Sequence, residues 1–364
     1  MRIALIAPPF VCVPPKRYGG TELFIACLAA GLQELGHEVV VYANGESTVN
    51  APLRWLYEKP QWPIQGEIYD NLKDLNHTAW AVADAAAISD VIHLNNAPGV
   101  TTSRFVDLPF VYTMHHPHDD GLTEFYSFFP NVNYVTISHF QRQRETLLAN
   151  VRTIHHGIDI SQYRLEEKKE DYLVFIGRLA PVKGPHLAIE VAKKAGIPLK
   201  IAGEVQPIFQ DYYEQRVKPH VDGRFIEYVG EADLEAKNEL LGKARAMLFP
   251  IQWDEPFGLV LIESMACGTP VLALPGGSVR EIVCEGVSGY VCQSVGELAQ
   301  RARELALPAV AVRQYVESNF SLDRMVRQYA ELYEAVAAGA PAAQLASTAE
   351  ETSEDEFPQQ RAVA

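Results

Sequence analysis

The sequence predicts an α/β protein built from two doubly wound, Rossmann-like domains that face each other across a cleft. Short apolar runs with the length of buried strands alternate with helical patterns, which is typical of a parallel sheet covered by helices. The alternation starts a second time after a charged connector at residues 166–171. A chain of 364 residues, 48% of them hydrophobic, is long enough to bury two such cores.

The first half begins with a βαβ unit. Residues 2–7 form an apolar run that Pro8 ends, and a helical pattern of apolar residues follows from Thr21. Gly36 stands where a helix C-cap belongs, and residues 38–42 have the pattern of the next strand. The further buried strands expected in this half lie at 91–94, 110–113 and 134–137.

The second half has the same architecture without repeating the sequence. Its expected strands lie at 172–177, 198–202, 225–229, 246–250 and 271–273. Its expected helices lie at 186–195, 258–267 and 312–337. After Gly339 the composition changes to Ala, Ser, Thr, Glu and Gln, which is typical of a disordered tail.

We therefore divide the chain into four parts. An N-terminal Rossmann-like domain covers 1–165, and a C-terminal Rossmann-like domain covers 170–318. A C-terminal helix at 319–338 is expected to return to the N-terminal domain, and a disordered tail covers 339–364.

The composition argues against several functions and compartments. Lys and Arg number 31 against 46 Asp and Glu, so the net charge is −15. This excess argues against a nucleic-acid binder with a broad cationic surface and against standing attachment to an anionic membrane. The five cysteines form no C-x-x-C pair, which favours a reducing compartment over a disulfide framework. Without a signal-peptide pattern or a window of 18 apolar residues, we expect a cytoplasmic protein.

Several features with the chemistry of phosphate binding remain when other motifs are excluded. The sequence has no P-loop, no G-x-G-x-x-G fingerprint, no H-E-x-x-H and no G-x-S-x-G elbow. Gly19-Gly20 precede a helix whose first amides could bind an anion. Arg178 and Lys183 follow a predicted strand at the sheet edge where ligands bind, and they could neutralise a diphosphate. The alternatives are a tight turn for the glycines and a solvated pair for the cations.

Two carboxylates flank the start of the predicted helix at 258–267. Glu255 precedes Pro256 and Gly258, which are typical of a helix N-terminus with free amides. Glu263 lies eight residues after Glu255 in a mostly apolar stretch, a separation of roughly 12 Å if the segment is helical. That separation suits two carboxylates that hold different ends of one long ligand. The alternative is a helix-capping Glu255 and a salt-bridged Glu263.

These features belong to a set of motifs that occur in order along the chain. The set comprises Glu255-x7-Glu263 with Phe257-Gly258-Leu259 inside it, and the segments at 18–22, 156–159, 177–184 and 266–271. It resembles the motifs of the family-4 retaining glycosyltransferases, and it covers the chain up to about residue 335. The fold that this resemblance implies is GT-B, with the acceptor on the N-terminal domain and the nucleotide sugar on the C-terminal domain.

The resemblance implies how the donor diphosphate and ribose are bound. Arg178 and Lys183 would neutralise the diphosphate, as a metal does in transferases with an Asp-x-Asp motif, so no metal is expected. Glu263 would bind the ribose hydroxyls. Fixed cations suit this reaction because negative charge grows on the leaving diphosphate as the sugar–phosphate bond breaks. The implied mechanism is front-face retention, in which the leaving phosphate helps to deprotonate the acceptor.

The resemblance also implies which groups hold the transferred sugar. Glu255 would bind it together with the backbone amides of the motif that follows, and Gly19-Gly20 would approach from the opposite domain. The donor-binding residues are therefore expected to be Gly19, Gly20, Arg178, Lys183, Glu255, Phe257, Gly258, Leu259 and Glu263. Those expected to act in catalysis are His115, Glu255, Arg178 and Lys183.

His115 matches the family's N-domain histidine near the reacting centre, where it would orient the sugar. This chain departs from the family pattern because His116 and His118 lie close by, which leaves the choice between His115 and His116 open. The three imidazoles and two carboxylates at 115–120 also have metal-ligand chemistry. Since adjacent residues rarely direct their side chains at one ion, we interpret this run as a loop that lines the cleft.

The function that the resemblance implies is metal-independent transfer of a hexosyl unit from a nucleotide-diphosphate sugar to a hydroxyl acceptor, with retention. UDP or GDP is the expected nucleotide; the nucleotide sugar is a co-substrate, and no cofactor is expected. A soluble sugar, glycan or small molecule is the expected acceptor, because residues 66–90, where some family members carry a basic membrane-docking helix, have five carboxylates and one lysine. A glycoside phosphorylase of the same family and a catalytically inactive nucleotide-sugar-binding protein are the alternatives.

Overall fold

The structure is a computed structural model that describes residues 1–16, 19–63 and 68–345. Tyr18 of the first motif and most of the predicted tail, 346–364, lie outside the described residues. Within those described ranges, no helix has the length and hydrophobicity needed to cross a membrane. The chain forms two parallel α/β sheets of seven and six strands, which confirms the predicted fold class.

The N-terminal domain is a doubly wound parallel sheet. Its strands are β1 (Arg2–Ile6), β2 (Glu38–Tyr42), β3 (Leu53–Arg54), β4 (Val91–Leu94), β5 (Phe110–Met114), β6 (Asn133–Thr136) and β7 (Val151–Thr153). They lie in the order β3-β2-β1-β4-β5-β6-β7, so the strand order reverses between β1 and β4. The connecting helices are α1 (Gly20–Glu34), α2 (Ile68–Ala85), a 3₁₀ helix (Ala97–Arg104), α3 (Asp120–Ser127) and α4 (His139–Arg142). Ligands bind near such a reversal in open α/β sheets.

The C-terminal domain repeats this plan with six strands. They are β8 (Leu173–Ile176), β9 (Leu199–Ala202), β10 (Ile226–Tyr228), β11 (Ala246–Phe249), β12 (Val271–Ala273) and β13 (Gly289–Val291). Their order is β10-β9-β8-β11-β12-β13, with the reversal between β8 and β11. The helices are α5 (Pro185–Ala195), α6 (Gln210–Tyr212), α7 (Leu234–Lys243), α8 (Leu259–Ala266), α9 (Val279–Ile282), α10 (Val295–Glu304) and α11 (Ala309–Asn319). Short 3₁₀ or π turns occur at Ile160–Gln162, Pro181–Lys183, Pro207–Phe209, Tyr213–Val217 and Lys218–His220.

Each central strand is buried on both faces, which explains why the sequence shows continuous apolar runs. In β5, Phe110 and Tyr112 belong to the core on one side of the sheet, while Val111 belongs to the core on the other. The side chains of β8 divide in the same way between two cores. Because both layers bury their strands, the sheets are rigid supports for the loops at their carboxyl ends.

The helical segment expected at 312–337 divides into two helices, and the break between them lies close to the start expected for the C-terminal helix at 319–338. α11 ends at Asn319, and α12 (Leu322–Ala337) begins after Ser321, whose hydroxyl caps it. Between them, the backbone of Ile158 bonds to that of Phe320 and Leu322, at 3.0 and 2.9 Å. The chain therefore crosses between the domains twice, and the two crossings are bonded to each other.

α12 packs on the N-terminal domain. The hydroxyl of Tyr333 lies 2.6 Å from Nδ1 of His93 on β4, and the hydroxyl of Tyr329 lies 2.8 Å from that of Thr113 on β5. The first part of the predicted tail also packs there: residues 342–345 are helical, and Ala342 is fully buried.

Candidate active site

The two domains meet where one helix of each begins. α1 starts after Gly19, and α8 starts after Gly258. A Cβ atom on Gly20 would lie 3.5 Å from Cδ1 of Leu259, so the first turns of the two helices face each other. Gly258 has φ +87°, a left-handed conformation that favours glycine. The motif residues of the two domains therefore form opposite walls of one cleft.

Lys183 and Glu255 form a buried ion pair on the C-terminal wall. Lys183 ends the turn that follows β8, and its Nζ lies 2.5 Å from Oε2 of Glu255. The indole Nε1 of Trp253 donates to the same oxygen at 2.9 Å, and the Lys183 ammonium lies 4.7 Å from the centre of the Trp253 ring. Burial lowers the pKa of Lys183, and the Glu255 carboxylate opposes that shift. Glu255 therefore binds a cation instead of capping α8.

Arg178 lies near this pair, and no group among the described residues pairs with its guanidinium. It follows β8 directly and is half-buried, and its charge contributes to the lowered pKa of Lys183. Its Nε is buried without a hydrogen-bond acceptor, and in the described part of the chain no carboxylate pairs with the guanidinium. A buried donor without an acceptor costs about 1–3 kcal/mol. The arrangement therefore favours an anion that supplies the acceptor.

Glu263 is held on three sides by the protein itself. Its side chain is only 2% exposed. Each carboxylate oxygen lies 2.9 Å from Nζ of Lys237, and Oε1 also accepts from the Tyr163 hydroxyl at 3.1 Å. A carboxylate has about four acceptor positions, so about one is left for a ligand. The salt-bridged alternative thus describes Glu263 in this structure.

A second glycine turn supports the loop that carries Glu255. The backbone N–H of Ser278 donates to the Glu255 carbonyl at 2.9 Å, and the Ser278 hydroxyl donates to the Phe257 carbonyl at 2.9 Å. A Cβ on Gly277 would lie 2.1 Å from the Glu255 oxygen, so no larger residue fits there. The position of Glu255 is thereby tied to the segment that leads into α9.

His115 lies on the N-terminal wall as a neutral ring with one free nitrogen. Its Nε2 lies 2.9 Å from Oδ1 of Asn95, whose amide nitrogen donates to the Ile6 carbonyl at 3.1 Å and so fixes the amide orientation. Nε2 of His115 therefore donates its proton to Asn95, and Nδ1 is an acceptor. Burial holds the pKa of His115 well below its usual value.

A second imidazole, His156, connects His115 to the opposite wall. The two rings are stacked, with centroids 5.5 Å apart and 11° between their planes. Phe24 of α1 lies 5.0 Å from both rings, and Phe257 lies 5.2 Å from His156. Burial lowers the pKa of His156 to about 3, and Nδ1 has no hydrogen-bond partner in the described chain. From the sequence, His155 and His156 were expected only to space the backbone between the domains.

The other histidines of the 115–120 run are directed elsewhere. His116 has partners on both ring nitrogens, the Pro117 carbonyl at 2.7 Å and the Tyr126 hydroxyl at 2.8 Å. His118 lies 3.0 Å from carboxylate oxygens of both Glu145 and Asp120. The three imidazoles therefore do not converge on one point.

Glu22 is a site candidate that the sequence analysis missed, although it lies in the first motif. It occupies the first turn of α1 and is 7% exposed. Burial raises its pKa to about 7, and no cation within the described ranges pairs with it. Its Oε2 would lie 2.8 Å from a Cβ on Gly19. A carboxyl group that gains or loses a proton near neutral pH therefore stands beside the glycine pair.

Two family models match adjacent parts of the chain. The model described as Glycosyltransferase Family 4 matches residues 18–162, and the model described as Glycosyl transferases group 1 matches residues 158–307. The first match covers most of the N-terminal domain, and the second covers most of the C-terminal domain. The boundary between the two matches coincides with the first crossing between domains.

Characterised proteins are similar to this chain over nearly its whole length. The glycogen synthase of Mycobacterium tuberculosis is 25% identical, over 93% of this chain and 96% of that protein. AviGT4, a glycosyltransferase involved in avilamycin A biosynthesis, superposes with a TM-score of 0.72 and 25% identity, over 93% of this chain and 98% of AviGT4. HepE of Anabaena, solved with UDP and glucose, has a TM-score of 0.74 at 18% identity, over 92% of this chain and 100% of HepE.

These matches agree with the geometry, since each domain is a doubly wound parallel sheet and the motif residues lie between the two. The relatives named above are glycosyltransferases or proteins with the same fold. The two family models together match residues 18–307, and with the fold they identify this chain as a family-4-like glycosyltransferase with the GT-B fold.

Proposed function

We propose that this protein transfers a hexosyl group from a nucleotide-diphosphate sugar to a hydroxyl group of an acceptor, with retention of configuration. The observation that carries the proposal is the half-buried Arg178, which has no partner in the described part of the chain, beside the Lys183–Glu255 ion pair. Arg178 and Lys183 carry two positive charges against the one negative charge of Glu255, so one further anion would balance them. HepE was solved with UDP and glucose, which makes a UDP-sugar the first donor to test.

Arg178 and Lys183 bind the diphosphate of the donor. The buried Nε–H of Arg178 gains a phosphate oxygen as its acceptor, and Lys183 exchanges Glu255 for a second phosphate oxygen. Both cations then lie where negative charge grows as the sugar–phosphate bond breaks, so they stabilise the transition state more than the bound donor. Because two fixed cations already neutralise the leaving group, we infer that no divalent metal is needed there.

Glu255 and the start of α8 hold the transferred sugar. Once Lys183 turns to the phosphates, the Glu255 carboxylate accepts from sugar hydroxyls, and Trp253 keeps it oriented. The backbone amides expected to contribute are those of Phe257, Gly258 and Leu259, where the dipole of α8 adds to their effect.

Glu263 and His115 complete the donor contacts at opposite ends. Glu263 accepts one ribose hydroxyl at its remaining acceptor position, and Lys237 holds its carboxylate in place. His115 accepts a sugar hydroxyl on Nδ1 while Asn95 holds the other ring nitrogen. A neutral ring suits this role because a positively charged ring would repel the oxocarbenium-like sugar of the transition state.

Retention follows a front-face course in this proposal. The bond between the anomeric carbon and the phosphate oxygen breaks, and its electron pair leaves with the diphosphate. The acceptor oxygen forms the new bond on the same face, and its proton passes to the leaving phosphate. The protein residues named above bind and orient; none of them forms a covalent intermediate.

The test is a screen of UDP-, GDP- and ADP-sugars against a panel of soluble sugar, glycan and small-molecule acceptors. The true donor should raise the melting temperature by mass action and support turnover. The product should have the donor's anomeric configuration by NMR, and adding Mg²⁺ should not change kcat/KM. Formation of sugar-1-phosphate from a disaccharide and phosphate without nucleotide would instead identify a phosphorylase. Donor binding without turnover would support the inactive binding protein.

A further inference from the structure

A second cluster of ligand-type side chains lies at the domain interface, outside the donor site. His139 begins α4 and His155 follows β7, both in the N-terminal domain, whereas Glu281 lies on α9 of the C-terminal domain. One ligand atom from each of the three lies within 4.8 Å of the other two. We propose that His139, His155 and Glu281 bind a Zn²⁺ ion that joins the two domains.

The spacing of the three groups is close to that of a zinc site. With Zn–N distances of about 2.0–2.1 Å, tetrahedral ligand atoms lie about 3.3 Å apart. Nε2 of His155 and Oε1 of Glu281 are already in hydrogen-bond contact, and the ligand atom of His139 lies within 4.8 Å of both, so it would move by up to about 1.5 Å to complete the site. The rings of His139 and His155 lie 5.1 Å apart and nearly perpendicular, at 84°. Two imidazoles in this relation can each direct a nitrogen to one point.

The Glu281 carboxylate is held in place by backbone groups of the other domain. Its Oε1 accepts from the His139 N–H at 2.8 Å, and its Oε2 accepts from the Phe140 N–H at 3.2 Å. Such outer contacts orient a metal-binding carboxylate while leaving lone pairs for the ion.

Two imidazoles and one carboxylate select the ion. Zn²⁺ accepts this mixed set in four-coordinate sites, with a solvent molecule or another ligand in the fourth position. Mg²⁺ and Ca²⁺ prefer oxygen ligands and would bind the same residues poorly. The cluster of His118, Asp120 and Glu145 offers a single imidazole, so it is the weaker zinc candidate and a useful control.

Binding at this position would act on the donor site through the polypeptide. Glu281 lies three residues after Ser278, whose backbone N–H bonds to the Glu255 carbonyl at 2.9 Å. An ion that ties α9 to the N-terminal domain therefore also restrains the loop that carries Glu255. Because its ligands come from both domains, the ion stabilises the arrangement in which they are close together. It takes no part in the bond-making steps.

The experiment is a Zn²⁺ titration of the full-length, chelator-treated protein at neutral pH in competition with a chromophoric chelator. We expect one Zn²⁺ per chain. His139→Ala, His155→Ala and Glu281→Gln should each lower the affinity more than about tenfold, a loss that even outer contacts of a metal site can cause. His118→Ala should bind Zn²⁺ like the wild type, and excess Mg²⁺ should not compete.

Three outcomes would overturn the proposal: no stoichiometric Zn²⁺ binding, wild-type affinity in any of the three ligand variants, or loss of binding in His118→Ala. Circular dichroism and melting of the zinc-free variants check that they fold, and His139 is exposed enough for its removal to be tolerated. The titration contains no nucleotide sugar. Its result therefore stands apart from the success or failure of the proposed transfer reaction.

Discussion

The two walls of the cleft differ in how they hold charge. On the C-terminal wall each buried carboxylate has a cation: Glu255 has Lys183 at 2.5 Å, and Glu263 has Lys237 at 2.9 Å. On the N-terminal wall His115 and His156 are neutral because burial lowers the pKa of each, and the buried Glu22 has no cation among the described residues. The C-terminal wall therefore offers ion pairs that an anionic donor can exchange. On the N-terminal wall, the charge depends on whether Glu22 is protonated.

Of the changes considered, removing Arg178 from the C-terminal wall should lower activity most. We expect Arg178→Ala to lower kcat/KM for the nucleotide sugar about 10²–10³-fold, because the leaving diphosphate loses a fixed cation. Most of the loss should appear in kcat, since the interaction strengthens as the bond breaks. Steady-state kinetics with the identified donor measure it. Arg216→Ala removes an exposed arginine of the same domain and is the matched control; equal kinetics for the two variants would contradict the assignment.

Glu22, the titratable carboxyl group of the N-terminal wall, should make the free energy of unfolding depend on pH. Its pKa of about 7 lies above its ordinary value of 4.5, so the folded protein binds this proton more tightly than the unfolded chain. This proton contributes at most about 3 kcal/mol to the free energy of unfolding. The contribution is fully present below pH 4.5 and is lost as the pH rises to about 7. Glu22→Gln should therefore be increasingly more stable than the wild type across that window.

Urea unfolding at several pH values measures the difference between Glu22→Gln and the wild type. Glu34→Gln, at the exposed end of the same helix, is the control for adding an amide to α1. A difference between Glu22→Gln and the wild type that does not change with pH would show that Glu22 has a cation in solution.

The two candidate histidines should separate by the kind of damage that their removal causes. His115→Ala should lower kcat about tenfold, because one hydrogen bond to the sugar is lost while the fold keeps its other contacts. His116→Ala should mainly lower the melting temperature, since His116 bonds to Pro117 and Tyr126 within the domain. Kinetics and thermal unfolding of both variants decide between them. The reverse pattern would assign the sugar contact to His116.

The exposed contact between the walls should matter least. Arg144 lies 3.1 Å from Asp254, but both side chains are nearly half exposed, at 45% and 47%. Arg144→Ala should therefore change the free energy of unfolding by less than about 1 kcal/mol, and less at high salt. Denaturant unfolding at two ionic strengths measures it. A loss that salt does not reduce would indicate a packing role for Arg144 on Phe140, whose ring lies 4.3 Å away.

The sequence predicted the central strands well because their burial on both faces produces continuous apolar runs. The predicted 91–94 and 38–42 agree with β4 and β2. β3, β7 and β13 were not predicted from the sequence; they have two or three residues and lie at sheet edges, so their neighbours decide their conformation. The periodic pattern at 312–337 continues through the break at residue 320, where Ser321 caps α12 and the distant backbone of Ile158 bonds to both sides.

The candidate site shows the same difference between features set by local sequence and features set by distant contacts. Motif spacing identified Glu255, Glu263, Arg178 and Lys183, because residues near one strand end or on one helix keep their relation wherever they fold. It did not identify their partners. Lys237 lies 26 residues before Glu263, and nothing local in the sequence joins them. Contacts of this kind depend on the packing of α7 against α8, which a sequence pattern does not encode.

The return of α12 to the first sheet has a consequence for the order in which this protein is made. α12 contributes residues such as Met325, Val326, Tyr329 and Tyr333 to a core whose members outside 325–342 all lie in the first 154 residues. When only the N-terminal half has emerged from the ribosome, part of one face of its sheet is still uncovered. The C-terminal domain, whose elements are contiguous in the chain from Leu173 to Asn319, can finish folding first. The half that is synthesised first is therefore the half that is completed last.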